Sequence, residues 1–177
     1  LAGDALTTGS YNVALGYAAL SAEDDHGRNI AIGYAALHAL NAGTDAYNIG
    51  IGHSAGAGLT TGTNNTIVGG LAGDALTTGI QNVAIGRSAL SSEDTGSASV
   101  AVGAFTLTTQ NYDGNAYNVA VGHDAGKSVT TGVQNTLIGG LAGDALTSGS
   151  DNVAVGYHAL SAEDGNGGNV AVGKFAL

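Results

Sequence analysis

The sequence contains no cysteine, proline, methionine or tryptophan, and only four basic residues among its 177. Without cysteine there are no disulfides and no thiolate chemistry, and the redox compartment is left open. Without proline, the bends fall to glycine and small polar residues. Large apolar side chains are few and alanine supplies much of the hydrophobic count, which excludes a wide globular core but suits a thin one. Fourteen acids against four bases give a net charge of -10, the wrong sign for duplex nucleic acid or an anionic membrane surface. No apolar run reaches membrane length and no signal peptide is visible.

What is abundant is repetition. The pentad Asn82-Val83-Ala84-Ile85-Gly86 recurs in form at Asn12, Asn29, Asn48, Asn65, Asn118, Asn135, Asn152 and Asn169, with Ser99 in the tenth slot. Successive copies lie 17, 19, 17, 17, 17, 19, 17, 17 and 17 residues apart. Residues 1–9 return at 71–79 and nearly at 141–149, so a 70-residue period of four short units overlies the short one. The array reads as one continuous domain over 1–177, with repeat 1 at 1–70, repeat 2 at 71–140 and a partial repeat 3 at 141–177. Repeat arrays close their ends with atypical units. Neither end differs from the middle here, so the natural chain is expected to continue in both directions.

Each unit reads as one coil of a parallel β-solenoid, an all-β fold of about ten coils spanning on the order of 45 Å. In each pentad the two aliphatic residues, such as Val83 and Ile85, point one way and the central residue the other. The Gly that follows permits a sharp corner. A second apolar segment, such as Tyr17-Ala18-Ala19-Leu20, is expected to form a second strand-like wall. A helix-pair solenoid is the competing reading, because alanine favours helix, but amphipathic helical spacing is not sustained. The two 19-residue units place longer loops at 40–47 and 110–117.

The columns carry the candidate residues. Asn12, Asn29, Asn48, Asn65, Asn82, Asn118, Asn135, Asn152 and Asn169 are expected to form a structural ladder, each amide bonding neighbouring coils and turn backbone. The small column (Ala14, Ala31, Gly50, Ala84, Ala101, Ala120, Ala154, Ala171) makes the strands apolar on both faces. Its expected cover is other copies of the chain, packed closely against small residues. Ile67 and Leu137 break that column. Acidic bends at Glu23, Asp24, Glu93, Asp94, Glu163 and Asp164 are the candidates for Ca²⁺. They lack the spacing of known calcium loops, and a solvated acidic loop is the preferred reading. Tyr47, Tyr112 and Tyr117 on the long loops are the candidates for contact with glycans or other surfaces. His53 and His123, 70 residues apart, read as surface histidines. No catalytic motif, cofactor fingerprint or triad is present, and the chain is read as no enzyme.

The copies Asn12-Val13-Ala14-Leu15-Gly16-Tyr17-Ala18-Ala19-Leu20 and Asn152-Val153-Ala154-Val155-Gly156-Tyr157-His158-Ala159-Leu160 resemble the head repeats of YadA-type trimeric autotransporter adhesins. They are also similar to repeat arrays of phage tail fibres and bacterial surface fibres. The resemblance covers the whole chain, which differs from the adhesin heads in its longer coils. It implies a left-handed β-roll, a homotrimer, and a place outside the cell, on a cell surface or virion. The function expected is a structural shaft of a fibre or adhesin. The alternatives are a filament growing by end-to-end self-assembly and a module that binds glycans or host or abiotic surfaces. An ice-binding solenoid, suggested by pairs such as Thr7/Thr8, Thr77/Thr78 and Thr130/Thr131, is a minor one.

Overall fold

The computed structural model describes residues 1–162 and 164–177. Ten three-residue strands follow one another: β1 (Val13–Leu15), β2 (Ile30–Ile32), β3 (Ile49–Ile51), β4 (Thr66–Val68), β5 (Val83–Ile85), β6 (Val100–Val102), β7 (Val119–Val121), β8 (Thr136–Ile138), β9 (Val153–Val155) and β10 (Val170–Val172). All ten lie in one parallel sheet in sequence order. The pairing register is that of the repeat: Ala14 sits opposite Ala31, Ala31 opposite Gly50, and Ala84 opposite Ala101. The backbone thus winds once per pentad interval into a β-solenoid. Among the described residues there is no helix.

β-Branched residues favour the pleated strand, and glycine ends it. Gly33, for example, has φ 137°, and a Cβ there would run into the carbonyl of Gly52 in the next coil. The corner therefore requires glycine twice over, for its dihedral and for the close backbone approach.

The segment after each corner is not a second strand, contrary to the expectation from its Ala-rich pattern. It is a stack of turns in which alternate residues take the left-handed conformation: Ala18 (φ 53°) and Leu20 (φ 51°), Ala35 (51°) and Leu37 (48°), Ser88 (53°) and Leu90 (53°). Left-handed backbone costs a residue with a Cβ roughly 1–2 kcal/mol. The stack offsets this by bonding coil to coil, with Leu20 N–H donating to Ala36 O at 3.0 Å and Leu37 N–H to Ala55 O at 3.0 Å. It also points the leucines into the core, where Leu20, Leu37, Leu90 and Leu107 are fully buried.

The strand faces are also the reverse of the expectation. The small column is the inner face: Ala31, Ala84, Ala101, Ala120 and Ala154 are fully buried. The aliphatic columns face outward, with Val13 47%, Leu15 64%, Ile85 37% and Val121 37% exposed. Short side chains are needed inside because the turn wall sends leucines across a thin interior. Where the strand carries a large residue, the wall gives way. Ile67 faces Gly56 and Gly73, at the positions of Leu37 and Leu90. Leu137 faces Gly126 and Gly143. A third inward column, Leu6, Glu23, Leu40, Leu59, Leu76, Glu93, Gln110, Val129 and Leu146, completes the core, and all but Leu6 are fully buried.

Candidate functional site

The asparagine column runs along the buried edge of the sheet. Each Oδ1 accepts the backbone N–H at the same position of the next coil: Asn29 to Asn12 at 3.0 Å, Asn65 to Asn48 at 2.9 Å, Asn82 to Asn65 at 2.9 Å and Asn152 to Asn135 at 3.0 Å. Most Nδ2 groups donate to a bend carbonyl of the next coil, as Asn48 does to Gly62 (2.8 Å), Asn82 to Gly96 (2.8 Å) and Asn118 to Gly132 (2.7 Å). Asn169 closes the series against Asn152. Among the described residues no buried amide atom of the column lacks a hydrogen-bond partner, so the column is occupied in holding coil to coil.

Ser99 is too short to play this part. A buried network takes its place. Gln110 Nε2 donates to Ser99 Oγ at 2.9 Å and to Glu93 Oε2 at 2.8 Å, and Gln110 Oε1 accepts from Asn118 Nδ2 at 2.8 Å. Glu93 Oε1 also accepts Gly96 N–H at 2.9 Å. Burial pushes the Glu93 carboxyl above its ordinary value, against the stabilising bonds from Gln110, Gly96 and Tyr112. Gln110 in a column otherwise rich in leucine was a visible signal of this network.

The expected solvated acidic loops are corrected in part. Glu23 and Glu93 are fully buried, because they occupy the leucine column and not the bend. Asp24 and Asp94 are half-buried beside them and Asp164 is exposed. Glu163 lies outside the described residues. Among the described residues, Glu23, Asp24 and His26 bring one ligand atom each to within 4.8 Å of one another. His26 had not been singled out in the sequence.

The outer surface carries two further columns. On the residue before each Asn, the Arg28 guanidinium lies 5.0 Å from the Tyr11 ring and 5.5 Å from the Tyr47 ring, and its Nε bonds Asp45 at 2.7 Å. That ion pair holds the Asp45 carboxyl below its ordinary value and raises the guanidinium. After the corner glycine, Tyr17, Tyr34 and His53 stack with centroids 5.4 and 5.1 Å apart and planes 12° apart. Of the loop tyrosines expected from the sequence to make contacts, Tyr47 belongs to the first of these columns. Tyr47, Tyr112 and Tyr117 are 53%, 37% and 55% exposed, with Tyr117 Oη accepting from Asn115 at 3.0 Å. His123 lies 3.1 Å from an Asp124 carboxylate oxygen.

The first threonine of most threonine bends is tied down, whereas in Thr108/Thr109 it is the second that bonds the following coil. Thr7, Thr60, Thr77, Thr130 and Thr147 donate their hydroxyls to carbonyls of the following coil. The remaining feature is the aliphatic face. Its two straight rows, residues 13 and 15 of each coil equivalent, contain only Val, Ile, Leu and the two threonines Thr66 and Thr136. No protein-family model, curated protein or solved structure matches this chain.

Proposed function

We propose that this array is a structural shaft of an extracellular or virion fibre or adhesin, in which copies of the chain associate side by side through the aliphatic face. The observation that carries the reading is the uncharged double row of aliphatic side chains on an acidic protein. None of the 14 acids falls in a strand. Ten strands about 4.8 Å apart make a face about 43 Å long, and the stretch from the residue before each Asn to the residue after the corner Gly is about 20 Å wide. The two aliphatic rows alone, on strands about 10 Å long, cover on the order of 430 Å² per chain; the flanking mixed columns, which include Arg28, Arg87 and Asp151, bring the face to about 900 Å², near the area per partner of a stable interface. Three chains is the number that the resemblance to trimeric adhesins implies. The coil-to-coil bonding of the ladder fits a shaft that holds shape and leaves chemistry to other parts of a fibre.

The test is the mass of the chain in solution by light scattering, with rods imaged by negative stain. The wild type is expected as an oligomer of elongated particles. The pair Ile85→Asp and Val121→Asp, which puts charge on the outer face, is expected to yield monomer with its β circular dichroism intact. A monomeric wild type at micromolar concentration would refute the association.

The stacked Tyr17, Tyr34 and His53 favour a second reading, a surface or glycan contact along the rim of that face, since aromatic ladders suit sugar rings. Retention on insoluble polysaccharide that survives Tyr17→Ala with Tyr34→Ala would eliminate it.

A further inference from the structure

The geometry points to a binding site for one divalent transition cation of the zinc type, held by the carboxylates of Glu23 and Asp24 and the imidazole Nδ1 of His26. Glu23 is fully buried in the leucine column, and its Oε2 has no hydrogen-bond partner. Its Oε1 accepts only the His26 N–H at 3.2 Å. The His26 Nδ1 is likewise buried without a partner, 3.8 Å from Glu23 Oε1. Two unsatisfied groups of complementary ligand type therefore face the same spot, with an Asp24 oxygen alongside. An orphaned buried carboxylate oxygen is costly, and a cation is one group that would satisfy it.

The second repeat makes the independent argument. There the equivalent Glu93 has the same backbone bond, from Gly96 at 2.9 Å, but its Oε2 receives Gln110 Nε2 at 2.8 Å. In the first repeat Leu40 stands where Gln110 stands, so the donor is gone. In the same repeat His26 stands where Gly96 stands, so an imidazole has arrived. Loss of the amide donor and gain of a metal-ligand side chain fall on one carboxylate.

The surroundings favour a cation. Asp25 lies between Asp24 and His26 in the chain, and Asp45 accepts Gly27 N–H at 3.2 Å and pairs with Arg28 at 2.7 Å, so four acids gather here against one base, Arg28. The donor set is poorer in oxygen than the six to eight that a calcium-type site uses. One nitrogen and two carboxylates suit zinc-like ions, with the fourth tetrahedral position left to water. Tetrahedral zinc would set its ligand atoms about 3.4 Å apart, a contraction that side-chain rotation can supply.

The test is isothermal titration of the chelator-stripped chain with zinc chloride, beside thermal melts in zinc and in chelator. The wild type is expected to take up one zinc per chain and to melt higher in zinc. His26→Gly, which installs the residue found at the equivalent place of the second repeat, is expected to bind at least tenfold more weakly and to lose the zinc-dependent shift. Leu40→Gln, which restores the missing donor, is expected to weaken binding too. No uptake by the wild type, or equal uptake by His26→Gly, would overturn the site. So would a loss of stability in His26→Gly that is as large in chelator as in zinc, because that marks a plain imidazole–carboxylate pair.

Discussion

Ile67 and Gly73 offer a quantitative trial of how the core is filled. Ile67 is fully buried, and an added Cβ at Gly73 would lie 3.4 Å from its Cδ1 and 2.9 Å from Leu76 Cδ1. Ile67→Ala removes three carbons facing glycines that cannot fill the gap, so the cost is expected near 3–5 kcal/mol, the upper part of the range for such truncations. Gly73→Leu alone overpacks the interior, by about 1–3 kcal/mol, and adds the left-handed cost of roughly 1–2 kcal/mol at φ 48°. Together the two changes recreate the set Ala31, Leu37 and Leu40 of the second coil, where Leu37 holds φ 48°. The double variant should therefore recover part of the summed loss, with a coupling energy of about 2–3 kcal/mol, while the left-handed cost at residue 73 remains. Urea unfolding midpoints at unchanged slope measure all three variants. Additive costs within about 0.5 kcal/mol would refute the claim that strand and wall trade volume across the interior.

Two further outcomes follow from the polar ladder. Asn82→Ala leaves Ser99 N–H and Gly96 O without their partners, and should cost about 2–4 kcal/mol in the same unfolding assay. A loss below about 0.5 kcal/mol would mean the column is incidental. Glu93 gives a pH dependence. Its carboxyl is raised by burial, so the folded chain holds a proton that the unfolded chain releases at its ordinary 4.5. That contribution to stability is full below 4.5 and is lost as pH rises through the raised value, above which it is flat. Glu93→Gln should remove this fall from a plot of unfolding midpoint against pH; an unchanged slope would assign it to other acids.

Winding, register and the asparagine column were legible because each depends on spacing alone. One strand per pentad and identical slots opposite one another follow from a period of 17 or 19 residues. Which strand face turns inward was not legible. Alternation says that Val83 and Ile85 oppose Ala84 but does not say which side holds the core. The decision came from the far wall, whose left-handed Leu37 and Leu90 fill the space and leave room only for alanine. The same wall hid itself, since Tyr-Ala-Ala-Leu reads as strand or helix and nothing in it announces alternate positive φ. Glu23 and Glu93 read as bend residues because acids usually are; counting by the coil interval places them in the Leu40 and Leu76 column. Ile67 and Leu137 were visible as exceptions, and the paired glycines 56, 73, 126 and 143 that explain them were in plain sight.

Every strand in this sheet bonds only to the strands immediately before and after it in the sequence. Length is then decoupled from cross-section. Duplicating one 70-residue block would add four strands and about 19 Å of reach while presenting to its neighbours the same edges they already meet. A gene encoding such a chain can change the distance its product spans by recombination between near-identical blocks, with no new packing problem to solve at the joint.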